Sequence, residues 1–85
     1  MKEFQYTIKD EIGIHARPAG MLVQKAKQFS SRVMLECNGK KAEATKLMAI
    51  MSLGVKCGAQ VKVTVEGPGE EAAAADLEGF FREHL

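Results

Sequence analysis

The stretch RVMLECNGKKAEA, residues 32–44, decides the fold because it contains a complete β-hairpin. Val33, Leu35 and Cys37 recur at every second position, which is the pattern of a strand with one buried face. Asn38 and Gly39 follow at once, and this dipeptide is the strongest short signal for a two-residue hairpin turn. The residues KKAEA then form the short returning strand. The sequence therefore predicts an antiparallel sheet.

Two more segments, FQYTIKD at residues 4–10 and VKVTVE at residues 61–66, alternate in the same way and predict two more strands. Their core-facing residues are Phe4, Tyr6, Ile8, Val61, Val63 and Val65. The residues GPG at 67–69 end the later strand, because glycine and proline interrupt regular structure.

Two segments instead show helical spacing. The apolar residues of the first helix are Ala19, Leu22, Val23, Ala26 and Phe29, and we expect it to end near Ser30 and Ser31. Those of the last helix, residues 70–85, are Ala73, Leu77, Phe80 and Phe81. Glu70 and Glu71 lie in its first turn, where carboxylates complement the helix dipole.

The segment KLMAIMSLG, residues 46–54, predicts a third helix with an unusually wide apolar surface. At 100° per residue, its five large apolar side chains span an arc of about 220°. One-sided burial needs an arc of only about 100° or somewhat more. A short helix on a small domain cannot easily bury both flanks, so we expect some of these side chains to be exposed.

The predicted order is strand, helix, strand, strand, helix, strand, helix. This order indicates a single α+β domain over residues 1–85, with a four-stranded antiparallel sheet and three helices on one face. The length of 85 residues fits one domain with a small core.

Composition narrows the class of protein. The net charge is only +1, which argues against a general nucleic-acid binder, and no apolar run approaches the roughly 20 residues of a membrane span. Residues 1–62 contain eleven Lys or Arg against five Asp or Glu, whereas residues 63–85 contain one against six. This division indicates either ordinary solvated faces or a basic surface that meets an acidic partner.

The two cysteines, Cys37 and Cys57, form no CxxC pair and match no zinc spacing with His15 and His84. With no secretory signal in the sequence, we expect reduced thiols in a cytoplasmic protein without a metal site.

The motif GIHARPAG, residues 13–20, carries the chemistry. If His15 immediately precedes a helix, Pro18 falls in the first turn, where its missing N–H group is not needed. The free N–H groups and the positive end of the helix dipole favour a neutral, nucleophilic imidazole and an anion placed on it. Arg17 adds a planar cation suited to phosphate oxygens. We also expect the small residues of the motif, Gly13, Ala16, Ala19 and Gly20, to allow another protein to approach closely.

These residue types predict a phosphohistidine at His15, since histidine can form covalent intermediates. A histidine before a helix is also often an ordinary surface or capping residue, and this alternative stays open at the level of the residues. The sequence places no acid or second histidine beside His15 for a hydrolytic triad, and it has no nucleotide-binding glycine motif. His84 is expected to be a solvated helix end.

From end to end, the sequence resembles HPr, the histidine-containing phosphocarrier family of the bacterial phosphoenolpyruvate:sugar phosphotransferase system. The resemblance rests on GIHARPAG and on residues 24–55, which include the Asn38-Gly39 turn and the MSLG signature. It implies an open-faced β-sandwich. It also implies that His15 accepts a phosphoryl group from enzyme I and passes it to the IIA domain of a sugar permease.

By the same resemblance, Arg17 and the N–H groups of Ala16 and Arg17 steady the phosphate. Gly20, Leu47, Met48 and Met51 match an apolar docking patch, for which adaptable methionine is well suited. The resemblance implies a monomeric carrier with no cofactor and no independent turnover, so we do not expect an enzyme.

Two positions depart from the family pattern. Lys46 stands where HPr proteins commonly carry a serine that HPr kinase/phosphorylase modifies, so we expect this regulatory switch to be lost. Ile12 replaces a small polar residue that is common in the family, which removes one possible hydroxyl near the imidazole. The runner-up function is an HPr-like regulatory module that binds other proteins without taking part in sugar transport.

Overall fold

The computed structural model describes residues 1–85 and contains four strands and three helices. Their bounds are β1 Lys2–Thr7, α1 Ala16–Lys27, β2 Arg32–Cys37, β3 Lys40–Glu43, α2 Leu47–Ser52, β4 Gln60–Glu66 and α3 Glu70–His84. The element order is the predicted one. The first strand ends at Thr7, so Ile8 is buried in the following loop and not in the strand.

The four strands form one antiparallel sheet in the order β1-β4-β2-β3. The predicted hairpin is confirmed, with Leu35 opposite Ala42. Both turn residues have positive φ, 53° at Asn38 and 78° at Gly39, which is what a type I′ turn requires. Leu35 also pairs with Val63 on the other side of β2, so the hairpin is joined directly to β4.

One face of the sheet supplies the core. Its contributions are Val33, Leu35, Cys37, Ala42, Val61, Val63 and Val65, all buried, while the residues between them are half-buried or exposed. The sheet is therefore open on its other side, as in the predicted open-faced sandwich. Burial of each large aliphatic or aromatic side chain stabilises the fold by about 1.5–3 kcal/mol.

Helix α3 packs across β1 and β4 through the ring of Phe81, which is fully buried. Phe81 makes edge-to-face contacts with Phe4 and Tyr6, at centroid distances of 5.8 and 5.7 Å. Phe4 and Tyr6 are only half-buried because β1 is an edge strand of the sheet. The apolar stripe predicted for α3 is confirmed, since Ala73, Leu77 and Phe80 are buried as well.

Helix α1 packs against both α2 and α3. Its predicted apolar face is buried, except that Phe29 lies beyond the helix and is half-buried. Lys27 is the last residue of α1, a little before the expected end at Ser30. The Gln28 N–H donates to the carbonyl oxygen of Lys25 and the Phe29 N–H to that of Ala26, and these two bonds close the last turn.

Candidate functional site

His15 is the residue immediately before α1. Its backbone is extended, with φ −101° and ψ −174°, and its carbonyl oxygen accepts the N–H of Ala19 at 2.9 Å. Its side chain makes no capping hydrogen bond to the helix and is half-buried. The imidazole is thus held at the helix start while its ring remains accessible.

The first turn of α1 has the composition of an anion site. Ala16 and Arg17 are its first two residues and are exposed, and backbone N–H groups in a first turn have no intrahelical acceptor. Pro18 is the third residue and is buried, so it shapes the turn without adding an N–H group. Arg17 takes part in none of the ion pairs of the structure.

The loop before His15 is fixed by short-range and long-range hydrogen bonds. Asp10 accepts twice, from Ile12 N–H at its Oδ1 atom (2.9 Å) and from Gly13 N–H at its carbonyl oxygen (3.0 Å). Ile14 is buried, and its N–H donates to the carbonyl oxygen of Val55 at 3.1 Å. The position of His15 therefore depends on the segment that follows α2.

A surface cavity of about 350 Å³ opens beside the imidazole. It is lined by Asp10, His15, Arg17, Pro18, Met21 and His84. No hydrolytic triad was expected at His15; the folded chain nevertheless brings an acid, Asp10, and a second histidine, His84, to its cavity. Asp10 lies just before the motif GIHARPAG, and His84 lies far from it in the chain. The packing of α3 against the sheet brings His84 to the cavity.

His84 ends α3 as expected, but its side chain is only partly solvated. Its ring packs on Phe80 with a centroid distance of 4.8 Å, and 34% of its side chain is exposed. The next residue, Leu85, is buried, and its main-chain oxygen accepts the N–H groups of Lys9 and Asp10 at 2.6 and 2.8 Å. These bonds attach the end of α3 to the loop that leads to His15.

Helix α2 exposes the apolar side chains that its wide arc predicts. Met48 is 78% exposed, Leu47 42% and Met51 37%, whereas Ile50 and Leu53 are buried. We call Gly20, Leu47, Met48 and Met51 the apolar patch; Gly20 lies on α1, which packs against α2.

Met21 is an exposed apolar residue that the sequence analysis missed, at 39% exposure. It follows Arg17 by four positions on α1, and this spacing places two residues on one helix face. That spacing is the signal that could have identified Met21 as a neighbour of the site.

The small residues of GIHARPAG do not all serve the approach of a partner. Ala16 is exposed and Gly20 half-buried, but Ala19 is fully buried in the core and Gly13 is buried under the segment after α2. The expectation is therefore wrong for Gly13 and Ala19. Ile12 is exposed, and its side chain is not among those that line the cavity of His15.

Lys46 occupies the residue before α2, with φ −113° and ψ 102°, and makes no side-chain cap. A lysine has no acceptor atom for the free N–H groups at a helix start. Lys46 is exposed, whereas the nearby hydroxyl residue Thr45 is half-buried. The hydroxyl of Ser52 donates its Oγ–H to the carbonyl oxygen of Ala49 at 2.8 Å.

Part of the acidic C-terminal segment is matched within the molecule. Asp76 pairs with Lys25 at 3.1 Å and Glu71 with Lys2 at 3.5 Å. At the start of α3, a hydrogen bond from the N-terminal ammonium and a second from Gly67 N–H hold the pKa of Glu70 below its ordinary value. This carboxylate lies at the opposite end of α3 from the cavity.

No group of three or more His, Cys, Asp and Glu side chains is arranged to hold a metal ion. Cys37 is buried and Cys57 exposed, and the two are not bonded to each other. None of the three helices is both long enough and apolar enough to cross a bilayer.

The fold and the histidine-bearing helix start are those of a known class of small phosphocarrier domains. The sequence model described as "PTS HPr component phosphorylation site" matches residues 2–83. The chain therefore belongs to the HPr family of the phosphotransferase system, whose members are phosphocarriers.

Solved structures agree with this assignment. HPr-C-His from Thermoanaerobacter tengcongensis is 47% identical over the full length of both chains, with a TM-score of 0.85. The phosphocarrier protein HPr of Bacillus anthracis is 31% identical over 94% of this chain and 95% of its own, with a TM-score of 0.87. Crh of Bacillus subtilis, described as a catabolite repression protein that forms an intertwined, domain-swapped dimer, is 35% identical. That match covers 100% of this chain and 98% of Crh, with a TM-score of 0.78.

Proposed function

We propose that this protein carries a phosphoryl group on His15, which accepts it from enzyme I and passes it to the IIA domain of a sugar permease. The observation that carries this proposal is the position of His15. Its ring is accessible, makes no capping bond, and faces a cavity at a helix start together with Arg17. Membership in the HPr family supports this direction of transfer.

The transfer requires only one nucleophile from this chain. A ring nitrogen of His15 attacks the phosphorus with its lone pair, and the bond from phosphorus to the donor atom breaks, its electron pair returning to the donor. The reverse step occurs at the acceptor. The phosphoryl group is the cargo and originates in phosphoenolpyruvate, so the carrier needs no resident cofactor or metal and has no turnover of its own.

The carried phosphoryl group is close to a dianion, so its surroundings decide how long it is retained. Arg17 and the N–H groups of Ala16 and Arg17 are the donors that stabilise it. Asp10 lies in the same cavity and repels it. Because the site both attracts the phosphoryl group through these donors and repels it through Asp10, the group stays available to a partner.

The apolar patch is the proposed docking surface for both partners. Met48 is the most exposed of its side chains, and it lies on a helix that packs directly against α1. Flexible methionine side chains can adapt to more than one partner surface. This adaptability is what a carrier needs, since it must be recognised in turn by a donor and by an acceptor.

The test is incubation with phosphoenolpyruvate and enzyme I, followed by mass measurement and by acid and base treatment. We expect one phosphoryl group, labile in acid and stable in base. The chain has two histidines, and both line the cavity, so each is replaced singly. His15→Ala should abolish labelling and His84→Gln should retain it. Labelling of His15→Ala would refute the proposal.

Sugar transport is tested separately, because Crh shows that this fold also occurs in a protein described by catabolite repression. The chain is expressed in a strain that lacks its own HPr, and sugar uptake is measured. Rescue by the wild type and not by His15→Ala supports transport. Labelling without rescue would favour the regulatory alternative. Because Crh is described as a dimer, the mass in solution is measured first; we expect a monomer.

A further inference from the structure

We propose that His84 is a second contact for the phosphoryl group on His15 and makes the retention of that group dependent on pH. This inference rests on the proposed function, since it requires a phosphoryl group on His15. His84 forms no covalent bond in this role. It donates an N–H hydrogen bond to a phosphoryl oxygen, and this bond is strongest when the imidazole is protonated.

The first support is the shared cavity. His15 and His84 lie in one cavity of about 350 Å³, which is within the range of small-ligand pockets, about 300–1,000 Å³. A phosphoryl group on His15 therefore occupies a space that His84 also borders. About a third of the His84 side chain is exposed, so its ring can reach an anion in that space.

The second support is the way in which His84 is held. On one side, its ring packs on Phe80. On the other, Leu85 is buried and its main-chain oxygen accepts the N–H groups of Lys9 and Asp10, which belong to the loop before His15. The same segment therefore positions both histidines. A frayed helix end would not carry a buried residue after its last turn.

The third support is the balance of charge around His84. Glu83, on the same helix, lies 3.8 Å from its Nε2 atom and is largely exposed. From the other elements, Asp10 faces the cavity with a negative charge, Arg17 with a positive charge, and His15 with its imidazole. Phosphorylation of His15 adds nearly two negative charges to this group. A protonated His84, which already has Glu83 beside it, then gains a second and more highly charged anionic partner inside the cavity.

The consequence is that, in exchange with another carrier, this chain takes a larger share of the phosphoryl group near pH 6 than near pH 9. Histidine is the side chain that changes its charge between about pH 5 and 8. For one charge pair at a cavity that is open to solvent, we expect a change of about threefold to tenfold in the phosphoryl-transfer equilibrium. Because such coupling is reciprocal, phosphorylation of His15 must in turn favour the protonated form of His84.

The first experiment does not require enzyme I. His15 is phosphorylated chemically with phosphoramidate, and the labelled position is verified with His15→Ala. The imidazole proton resonances are then followed from pH 5 to 9. Since the chain has only two histidines, single replacements assign both signals. We expect the His84 midpoint to move upward on phosphorylation. If it stays where it is, the inference is overturned.

The second experiment is a direct competition. Equal amounts of wild type and His84→Gln share one phosphoryl group per two molecules in the presence of a catalytic amount of enzyme I, and mass measurement gives the distribution. We expect near-equal sharing at pH 9 and about threefold to tenfold preference for the wild type at pH 6. His84→Lys keeps its cation over this range. In competition with His84→Gln, it should therefore be preferred at both pH values. Equal sharing at every pH would overturn the inference.

The two experiments also separate this inference from the proposed function. If enzyme I labels His15 and the His84 midpoint does not move, only the inference fails. If phosphoramidate labels His15 and the midpoint moves, but enzyme I transfers nothing, the carrier role in the phosphotransferase system fails and the contact stands. A purely structural His84 lowers the free energy of unfolding when replaced by Gln, but it changes neither the midpoint nor the sharing.

Discussion

The carbonyl oxygen of Val55 occupies the space that a Cβ atom on Gly13 would need. The same Cβ would also lie 2.7 Å from Cα of Lys56, and Gly13 has φ +84°. The next residue, Ile14, donates its N–H to that Val55 oxygen at 3.1 Å. The loop that ends at His15 is therefore pressed directly onto the segment after α2, and only glycine permits this contact.

We predict that Gly13→Ala lowers the free energy of unfolding by more than about 2 kcal/mol. The positive φ alone costs a residue with a Cβ about 1–2 kcal/mol, and displacement of the Val55 backbone adds to that. Urea denaturation measures the loss. Since the loop must move, phosphorylation of His15 should slow as well.

The matched control is Gly79→Ala. Gly79 is exposed within α3, and a Cβ atom there would meet nothing within 4 Å. Alanine is a better helix former than glycine, so this variant should gain about 0.5–1 kcal/mol. If both variants had the same stability, the close contact at Gly13 would not matter energetically.

We predict that Met48→Glu slows phosphoryl transfer from enzyme I by tenfold or more, which corresponds to about 1.4 kcal/mol. The side chain is 78% exposed, so a carboxylate there should change the free energy of unfolding by less than about 0.5 kcal/mol. Transfer rates are measured by rapid quenching, and stability by urea denaturation.

Ala75→Glu supplies the control for charge. Ala75 is exposed on α3, away from α2, and its replacement changes the net charge by the same amount. Its transfer rate should equal that of the wild type. If Met48→Glu also transferred normally, the apolar patch would have no role in docking.

The elements of the fold and of the candidate site differ in how far the sequence alone could predict them. The hairpin at Asn38-Gly39 and the exposure of Met48 follow from local spacing, because turn geometry and helical periodicity involve neighbouring residues only. The placement of His15 before α1 follows in the same way from Pro18 and the small residues around it.

His84 could not be found in this way. Its place in the cavity of His15 depends on the hydrogen bonds from Lys9 and Asp10 to the main-chain oxygen of Leu85, which join segments at opposite ends of the chain. The role of Gly13 was missed for a similar reason. A glycine in a loop indicates backbone freedom, but the Val55 oxygen that requires it comes from another element.

We predict that HPr kinase/phosphorylase does not label this protein stoichiometrically. Lys46 has no hydroxyl, Thr45 is half-buried, and the Ser52 hydroxyl is bonded to the Ala49 carbonyl oxygen at the far end of α2. Lys46→Ser should restore labelling, as measured by mass. Position 46 is exposed and immediately precedes α2, where serine is a better cap than lysine. The free energy of unfolding of Lys46→Ser should therefore not fall. Stoichiometric labelling of the wild type at Thr45 or Ser52 would contradict this expectation.

We predict that Glu70 makes the stability depend on pH on the acid side. The hydrogen bond from the N-terminal ammonium, followed by that from Gly67 N–H at 3.1 Å, lowers the pKa of Glu70 in the folded state below the ordinary value of 4.5. The unfolded chain therefore takes up this proton first as pH falls. The stabilisation is fully present above about pH 4.5 and is lost as pH falls through the lower, folded-state pKa.

The measurement is the free energy of unfolding of the wild type and of Glu70→Gln between pH 7 and 3. The wild type should be more stable at neutral pH, and the difference should shrink as pH falls, because a protonated Glu70 has lost the charge that both donors stabilise. Glu71→Gln, in the same turn, makes the same charge change while leaving the bond from Gly67 in place. A wild type and a Glu70→Gln protein with parallel pH profiles would mean that these two donors do not distinguish the ionised from the protonated carboxyl group.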